Sequence, residues 1–312
     1  MIDYHTHFIP KEMMDWVQAN QHIINAKWNE ENPAKEKFLL INEKWGFELK
    51  KEFLDHHLYL SSQLDASISH SVLSPVPQLF MYEFDEAITA EASMVYNRSL
   101  AQLTIDYPNQ LSALGTVPLQ NPTLAAAILS DAIQLGLKGI ILGPGINGHM
   151  LSDEFFTPLF EEANRLETII FIHPLLAEDP RLKRRMMPNL IGIPWETTIC
   201  ATDLLLSGIV DRFPKIKFIF AHGGGFLPYQ IGRLDKGYEQ WSAVSSKLSA
   251  RPSEYLKRFW YDSVLWNKES IEFLIQTVGE EQVLPGSDYP FDLSAWPPAQ
   301  LNQQTSKLIF TK

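Results

Sequence analysis

The sequence predicts a closed parallel (β/α)8 TIM barrel, and three observations predict it. Eight short apolar runs alternate with longer helical patterns along the 312 residues. Histidines and an aspartate fall where several of those runs end, and strand ends are where a barrel gathers its active site. The glycine fingerprint of a doubly wound dinucleotide fold is missing. "HGGGF" lacks G-x-G-x-x-G spacing and carries a histidine where its strand ends. With 45% hydrophobic residues the chain can bury a large core, so it reads as one barrel domain over 1–312.

"MIDYHTH" is the first strand. Alternation places His5 and His7 on one face, with Asp3 beside them. Residues 11–65 have no clean period and read as an insertion between strands one and two, roofing the barrel mouth. "ASISHSVLSPV" (66–76) is strand two, and the helical pattern "FDEAITAEASMVYNRSLAQLTIDYP" follows it. "LSALGTVPL" (111–119) is strand three; Asn121 caps the next helix with Pro122 in its first turn. "LKGIILGP" is strand four, before a helix capped at Ser152. "TIIFIHP" (168–174) is strand five and "KIKFIFAHGGG" (215–225) strand six. "RFWYDSVLW" (258–266) and "QVLPGSDYP" (282–290) complete the eight.

A formal net charge of −11 argues against a nucleic-acid partner and against an anionic membrane surface. A local cationic site can still take an acidic small molecule. No apolar run reaches the length of a membrane span, and no signal-peptide pattern precedes the first strand, so a cytoplasmic enzyme is expected. The single cysteine, Cys200, lies in an amphipathic helical pattern and reads as a buried small hydrophobe.

The strand ends carry the chemistry. His5 and His7 end strand one, His173 ends strand five, His222 strand six and Asp288 strand eight. His22, His56 and His57 fall in the insertion, His70 within strand two and His149 in a loop, and these read as structural or solvated. Three imidazoles and a carboxylate without thiolate suit one divalent ion, zinc first and manganese as the alternative. Spacing alone leaves open which histidine stays off the metal. The glycines after His222 allow close approach, which makes it a candidate general acid/base. Lys138 precedes "GIILG" rather than ending that strand, so it reads as a surface lysine and not as a bridge between two metals.

The chain resembles the amidohydrolase superfamily, and within it the aminocarboxymuconate-semialdehyde decarboxylase-like branch. The pieces that carry the resemblance are "DYHTHFIPKE", "ALGTVPLQNP", "FIHP", "IGIPWETT", "FPKIKFIFAHGGGFLPYQIGR", "FWYDS" and "GSDYPF". They run from residue 3 to residue 291. The resemblance implies a metal-dependent barrel that removes carboxylate groups without oxidation and without an organic cofactor. It implies His5, His7, His173 and Asp288 as metal ligands, with Asp288 also close to the chemistry. His222 matches the histidine that holds the metal's water and moves protons. Arg233 matches an arginine that grips the substrate carboxylate from a neighbouring subunit, which implies a homodimer. Glu196 in "PWET" would support the site from one layer out.

The sequence departs from the family in three places. No arginine occurs before Arg98, where the family has one in the insertion; Lys50 or Lys51 would substitute, as a point charge rather than a fork. "HPL" places Leu175 where the family has a pocket-facing tryptophan. The chain stops at "LIFTK", before the family's usual final helix. The expected reaction is non-oxidative decarboxylation of an aromatic or unsaturated carboxylic acid, carboxymuconate-semialdehyde-like or hydroxybenzoate-like. The alternative is hydrolysis of an amide, lactone or related ester, or hydration, by the same metal site.

Overall fold

The computed structural model describes residues 1–29 and 37–301. The barrel strands are β1 (Ile2–His7), β2 (His70–Ser74), β3 (Leu111–Ala113), β4 (Gly139–Leu142), β5 (Ile169–Ile172), β6 (Lys217–Phe220), β7 (Trp260–Asp262) and β8 (Val283–Leu284). All neighbouring pairs are parallel, in the orders β1–β2–β3 and β4–β5–β6–β7–β8. Two isolated parallel bridges, Gly115 with Ile140 and Thr6 with Tyr289, join these groups at both seams. At one seam the Gly115 amide donates to the Gly139 carbonyl at 2.9 Å. At the other, Tyr4 donates to Pro285 and His7 to Tyr289, each at 2.8 Å. The ring of eight strands therefore closes in chain order, as the alternating pattern predicts.

The strands form where they do because they are apolar on both faces. β4 reads GIIL and β5 reads IIFI, and every residue in both is buried. A parallel strand between barrel interior and outer helices requires that. The outer layer comprises α1 (Lys11–Ala19), α2 (His56–Asp65), α3 (Glu86–Asp106), α4 (Pro122–Gln134), α5 (Thr157–Arg165), α6 (Ile193–Leu206), α7 (Leu227–Gln240) and α8 (Lys268–Val278). Asn121 caps α4 by accepting from the Leu124 amide at 3.0 Å, with Pro122 in the first turn. Ser152 does not cap α5. A 3-10 turn over Glu154–Phe156 intervenes, and Pro158 fits only the first turn of the helix that follows.

Residues 11–65 hold more regular structure than their sequence pattern suggests. Between α1 and α2 lies an antiparallel sheet of Lys27–Asn29, Lys37–Ile41 and Trp45–Leu49. Such short strands carry too few residues to show a period. Helix α1 buries Met13, Trp16 and Val17 against α3, and the Trp16 indole donates to Glu91 at 3.0 Å. The final segment with "LIFTK" lies outside the described residues. Among the described residues no helix is long and apolar enough to cross a membrane.

Candidate metal centre and substrate cavity

β1 delivers two imidazoles side by side. A register shift between Asp3 and Thr6 interrupts its pairing with β2, yet the His5 and His7 Nε2 atoms lie 3.0 Å apart. His173 follows β5 and Asp288 follows β8. One ligand atom from each of His5, His7, His173 and Asp288 lies within 4.8 Å of all the others, and all four residues are buried. Asp288 Oδ1 is 3.2 Å from His5 Nε2 and 3.1 Å from His7 Nε2.

The outer nitrogens fix what the inner ones present. His7 Nδ1 donates to the Pro75 carbonyl at 3.0 Å, and His173 Nδ1 to the Pro174 carbonyl at 2.9 Å. A carbonyl only accepts, so each of these rings carries its hydrogen on Nδ1 and turns a lone pair inward at Nε2. His5 Nδ1 meets Asp262 Oδ2 at 2.5 Å, which fixes that ring the same way. Lone pairs converging with a carboxylate repel one another unless a cation sits among them. His173 Nε2 is moreover buried with no hydrogen-bond partner among the described residues. The residues present therefore fit a divalent metal ion.

The electrostatics agree. Burial alone would raise the Asp288 carboxyl, but His5, His222 and His7 hold it well below the usual carboxylate range. Burial lowers His7, and burial with the neighbouring imidazoles takes His173 far down, so both rings are neutral and able to ligate. Burial would lower His5 as well. The Asp288 and Asp262 carboxylates overcome it and raise that ring to about 10, so without a metal they draw a proton onto it.

His222 differs from the other three rings. Its Nδ1 is buried with no hydrogen-bond partner among the described residues, and its Nε2 lies 3.6 Å from Asp288 Oδ2. The ring stacks on Trp266, 6.5 Å between centroids and 10° from parallel. The glycines beyond it are required by close packing. A Cβ on Gly225 would lie 2.2 Å from the Pro194 carbonyl oxygen, at φ +63°.

Two buried aspartates do structural work around the donors. Asp262, at the end of β7, also accepts from the Gly223 amide at 3.0 Å and the Val264 amide at 3.1 Å. It therefore ties His5 to the turn that carries His222. Sequence reasoning did not single it out, although it ends a strand within "FWYDS". Asp3 does not join the donor set. Its carboxylate accepts from the Ser287 hydroxyl at 2.5 Å and from the Ser287 amide at 3.1 Å, anchoring the loop that presents Asp288.

A cavity of about 1140 Å³ opens over these donors. His173, His222 and Asp288 line it, with apolar walls from Phe47, Phe53, Leu265, Trp266 and Phe291 among others. Lys50 lines it too, donating to the Pro290 carbonyl at 2.9 Å and pairing with Asp292 at 2.7 Å. Lys51 is exposed and does not line it. Arg233 lies exposed on α7, outside this chain's cavity lining. Glu196 sits half-buried in the first turn of α6, and among the described residues it makes no hydrogen bond or ion pair to the site. Leu175 packs beside Gly143 rather than lining the cavity. His70 is held by Asn109 and Ser112, His149 by Asp153, and Cys200 is buried in α6, all as structural residues.

Closed barrel and donor set together define a metal-dependent (β/α)8-barrel protein. The amidohydrolase family model matches residues 2–306, and the chain belongs to that family. It is 31% identical over 307 residues to the 2-amino-3-carboxymuconate-6-semialdehyde decarboxylase of Dictyostelium discoideum, covering 96% of this chain and 84% of that one. The structure of 5-carboxyvanillate decarboxylase from Sphingomonas paucimobilis superimposes with a TM-score of 0.80 at 23% identity, covering 93% of this chain and 88% of that one. A dihydroxybenzoic acid decarboxylase from Polaromonas sp., solved with manganese and 2-nitroresorcinol, gives a TM-score of 0.72 at 20% identity, covering 93% and 86%.

Proposed function

We propose that the protein is a metal-dependent, non-oxidative decarboxylase of an aromatic or unsaturated carboxylic acid. The observation that carries this is the buried set of His5, His7, His173 and Asp288 at the floor of a cavity, with His222 beside it and its Nδ1 without a hydrogen-bond partner among the described residues. The 31% identity to a decarboxylase over 96% of the chain supports it.

His5, His7, His173 and Asp288 would hold one divalent ion, zinc first and manganese as the alternative; three imidazoles suit zinc, and the Polaromonas structure contains manganese. Such an ion, when bound, stabilises negative charge on substrate oxygens as a Lewis acid. His222, whose Nδ1 has no hydrogen-bond partner among the described residues, is the group placed to deliver a proton to the carbon that bears the carboxylate. Asp288 Oδ2 lies near enough to His222 Nε2 to orient the ring. The carbon–carbon bond then breaks, its electron pair returns to the conjugated system and carbon dioxide leaves. The apolar walls exclude water and so strengthen each charge interaction.

Arg233 would grip the substrate carboxylate from a second copy, giving a homodimer. Its exposure supports that role, as does Tyr229, one turn earlier on α7 and 77% exposed. Lys50 contributes a second positive charge at the cavity wall. The insertion belongs to the same functional domain and closes the mouth through Phe38, Phe47 and Phe53. A cytoplasmic location fits a chain with one cysteine, and that one buried.

The test is carbon dioxide release from a panel of hydroxybenzoates and carboxymuconate semialdehydes, with and without added zinc or manganese. Metal-dependent release from at least one acid is expected. Fully metal-loaded protein that releases none overturns the proposal.

A further inference from the structure

We infer that the cavity selects an acid with a single carboxylate and a hydrogen-bond donor elsewhere on its frame, and that Glu48 and Asp292 impose that selection. The inference rests on the decarboxylase reading and goes beyond it to the substrate class.

The insertion sheet supplies the relevant wall. Gly46, Phe47 and Glu48 of the strand Trp45–Leu49 line the cavity, with Lys50 one residue beyond it. Gly46 leaves room there for the Phe38 ring, since a Cβ would lie 2.2 Å from it. Lys50 is the one lysine or arginine among the described lining residues, and it is already engaged by the Pro290 carbonyl and by Asp292, itself a lining residue. Glu48 is half-buried and has no hydrogen-bond or ion-pair partner among the described residues.

A second carboxylate on the substrate would meet this wall badly. It would have to displace Asp292 from Lys50 and lose its water beside the half-buried Glu48 carboxylate. The sequence offers no guanidinium in its place, because the first arginine is Arg98 and no arginine lines the cavity. An Arg233 reaching in from a second copy would serve the one carboxylate that leaves. A phenol hydroxyl or an amine is different: either can donate to the half-buried Glu48 carboxylate, which has no partner among the described residues. Sites that hold an unpaired polar group discriminate strongly between ligands that satisfy it and ligands that do not.

The test uses metal-loaded protein and salicylates substituted at ring position 4 or 5 with either hydroxyl or carboxylate. Binding is read by calorimetry and turnover by carbon dioxide release. The hydroxyl compounds are expected to bind at least tenfold more tightly than their carboxylate counterparts. Glu48→Gln combined with Asp292→Asn should shrink that ratio at least tenfold, with metal content and melting temperature confirming a folded protein. Equal or tighter binding of the dicarboxylates by the unaltered protein overturns the inference. So does an unchanged ratio in the double variant, or an absence of binding by both classes. Selective binding without carbon dioxide release from any acid would instead overturn the decarboxylase reading and leave the selection rule standing.

Discussion

His5 Nδ1 and Asp262 Oδ2 lie 2.5 Å apart, both residues buried, joining the first strand of the barrel to the seventh. The same carboxylate accepts two backbone amides, so it cannot turn away from the imidazole without leaving them unpaired. Burial alone would raise Asp262, but the bond to His5 keeps it ionised and below its ordinary range. The carboxylate therefore both aims the ring and makes Nε2 a better donor to a metal. Asp262→Asn keeps the size and removes the charge. It should weaken metal binding by roughly 10- to 100-fold, the usual cost of losing a partner behind a ligating histidine. Competition against a chromophoric chelator measures this, and an unchanged affinity would show that Asp262 serves only the backbone.

Metal removal should destabilise the fold, because the buried donors of His7, His173 and Asp288 then lose the cation on which they converge. Restoring an ion to a hundred times its dissociation constant should return about 2.7 kcal/mol. The sign with pH follows from His5. Its pKa of about 10 in the metal-free state means it holds a proton at neutral pH, and the ion must displace that proton. Acidification therefore weakens binding, and raising the pH toward 10 strengthens it. Calorimetry in buffers of different ionisation enthalpy should find about one proton released per metal near pH 8.

His222→Ala separates chemistry from ligation. His222 has no place in the four-residue donor cluster, so the variant should keep one equivalent of metal. Loss of a positioned proton donor costs about 10²- to 10⁴-fold in rate, so kcat should fall by that much. His7→Ala should lose metal and activity together. Metal content by atomic spectroscopy, set against kcat for both variants, distinguishes the two roles.

Much of this architecture is legible in the chain because barrel strands are short and apolar on both faces. "GIIL" and "IIFI" cannot be solvated, and a polar residue immediately after such a run sits at a barrel rim. That logic finds His5, His7, His173, His222 and Asp288. It overlooks Asp262, a lone aspartate after an aromatic run whose partner is 257 positions away. It also misplaces Asp3, since alternation ignores the register shift in β1 that leaves its carboxylate with Ser287. The insertion sheet was hidden for a different reason: its strands are three to five residues long, and their pairing is a tertiary fact. The engagement of Lys50 by Asp292, across the cavity wall, belongs to the same class.

The turn after His222 gives a stability prediction with an internal control. Gly225 has φ +63° and ψ −126°, a region open essentially to glycine. A Cβ there would lie 2.2 Å from the Pro194 carbonyl and 2.6 Å from Thr198 Oγ1, and that hydroxyl accepts the Phe226 amide at 2.6 Å. Gly225→Ala therefore forces the turn off α6. Backbone strain of about 1–3 kcal/mol adds to an overpacking cost of about 1–3 kcal/mol, so a loss of more than about 2 kcal/mol is expected. His222 would move with the turn, and kcat should fall while metal content holds. Gly232 sits exposed in α7 with nothing within 4 Å of a Cβ and no left-handed φ. Gly232→Ala should instead stabilise by about 0.5–1 kcal/mol, the helix preference for alanine. Urea denaturation midpoints of the two variants should move in opposite directions, and a Gly225→Ala protein as stable as the original would show that α6 yields without cost.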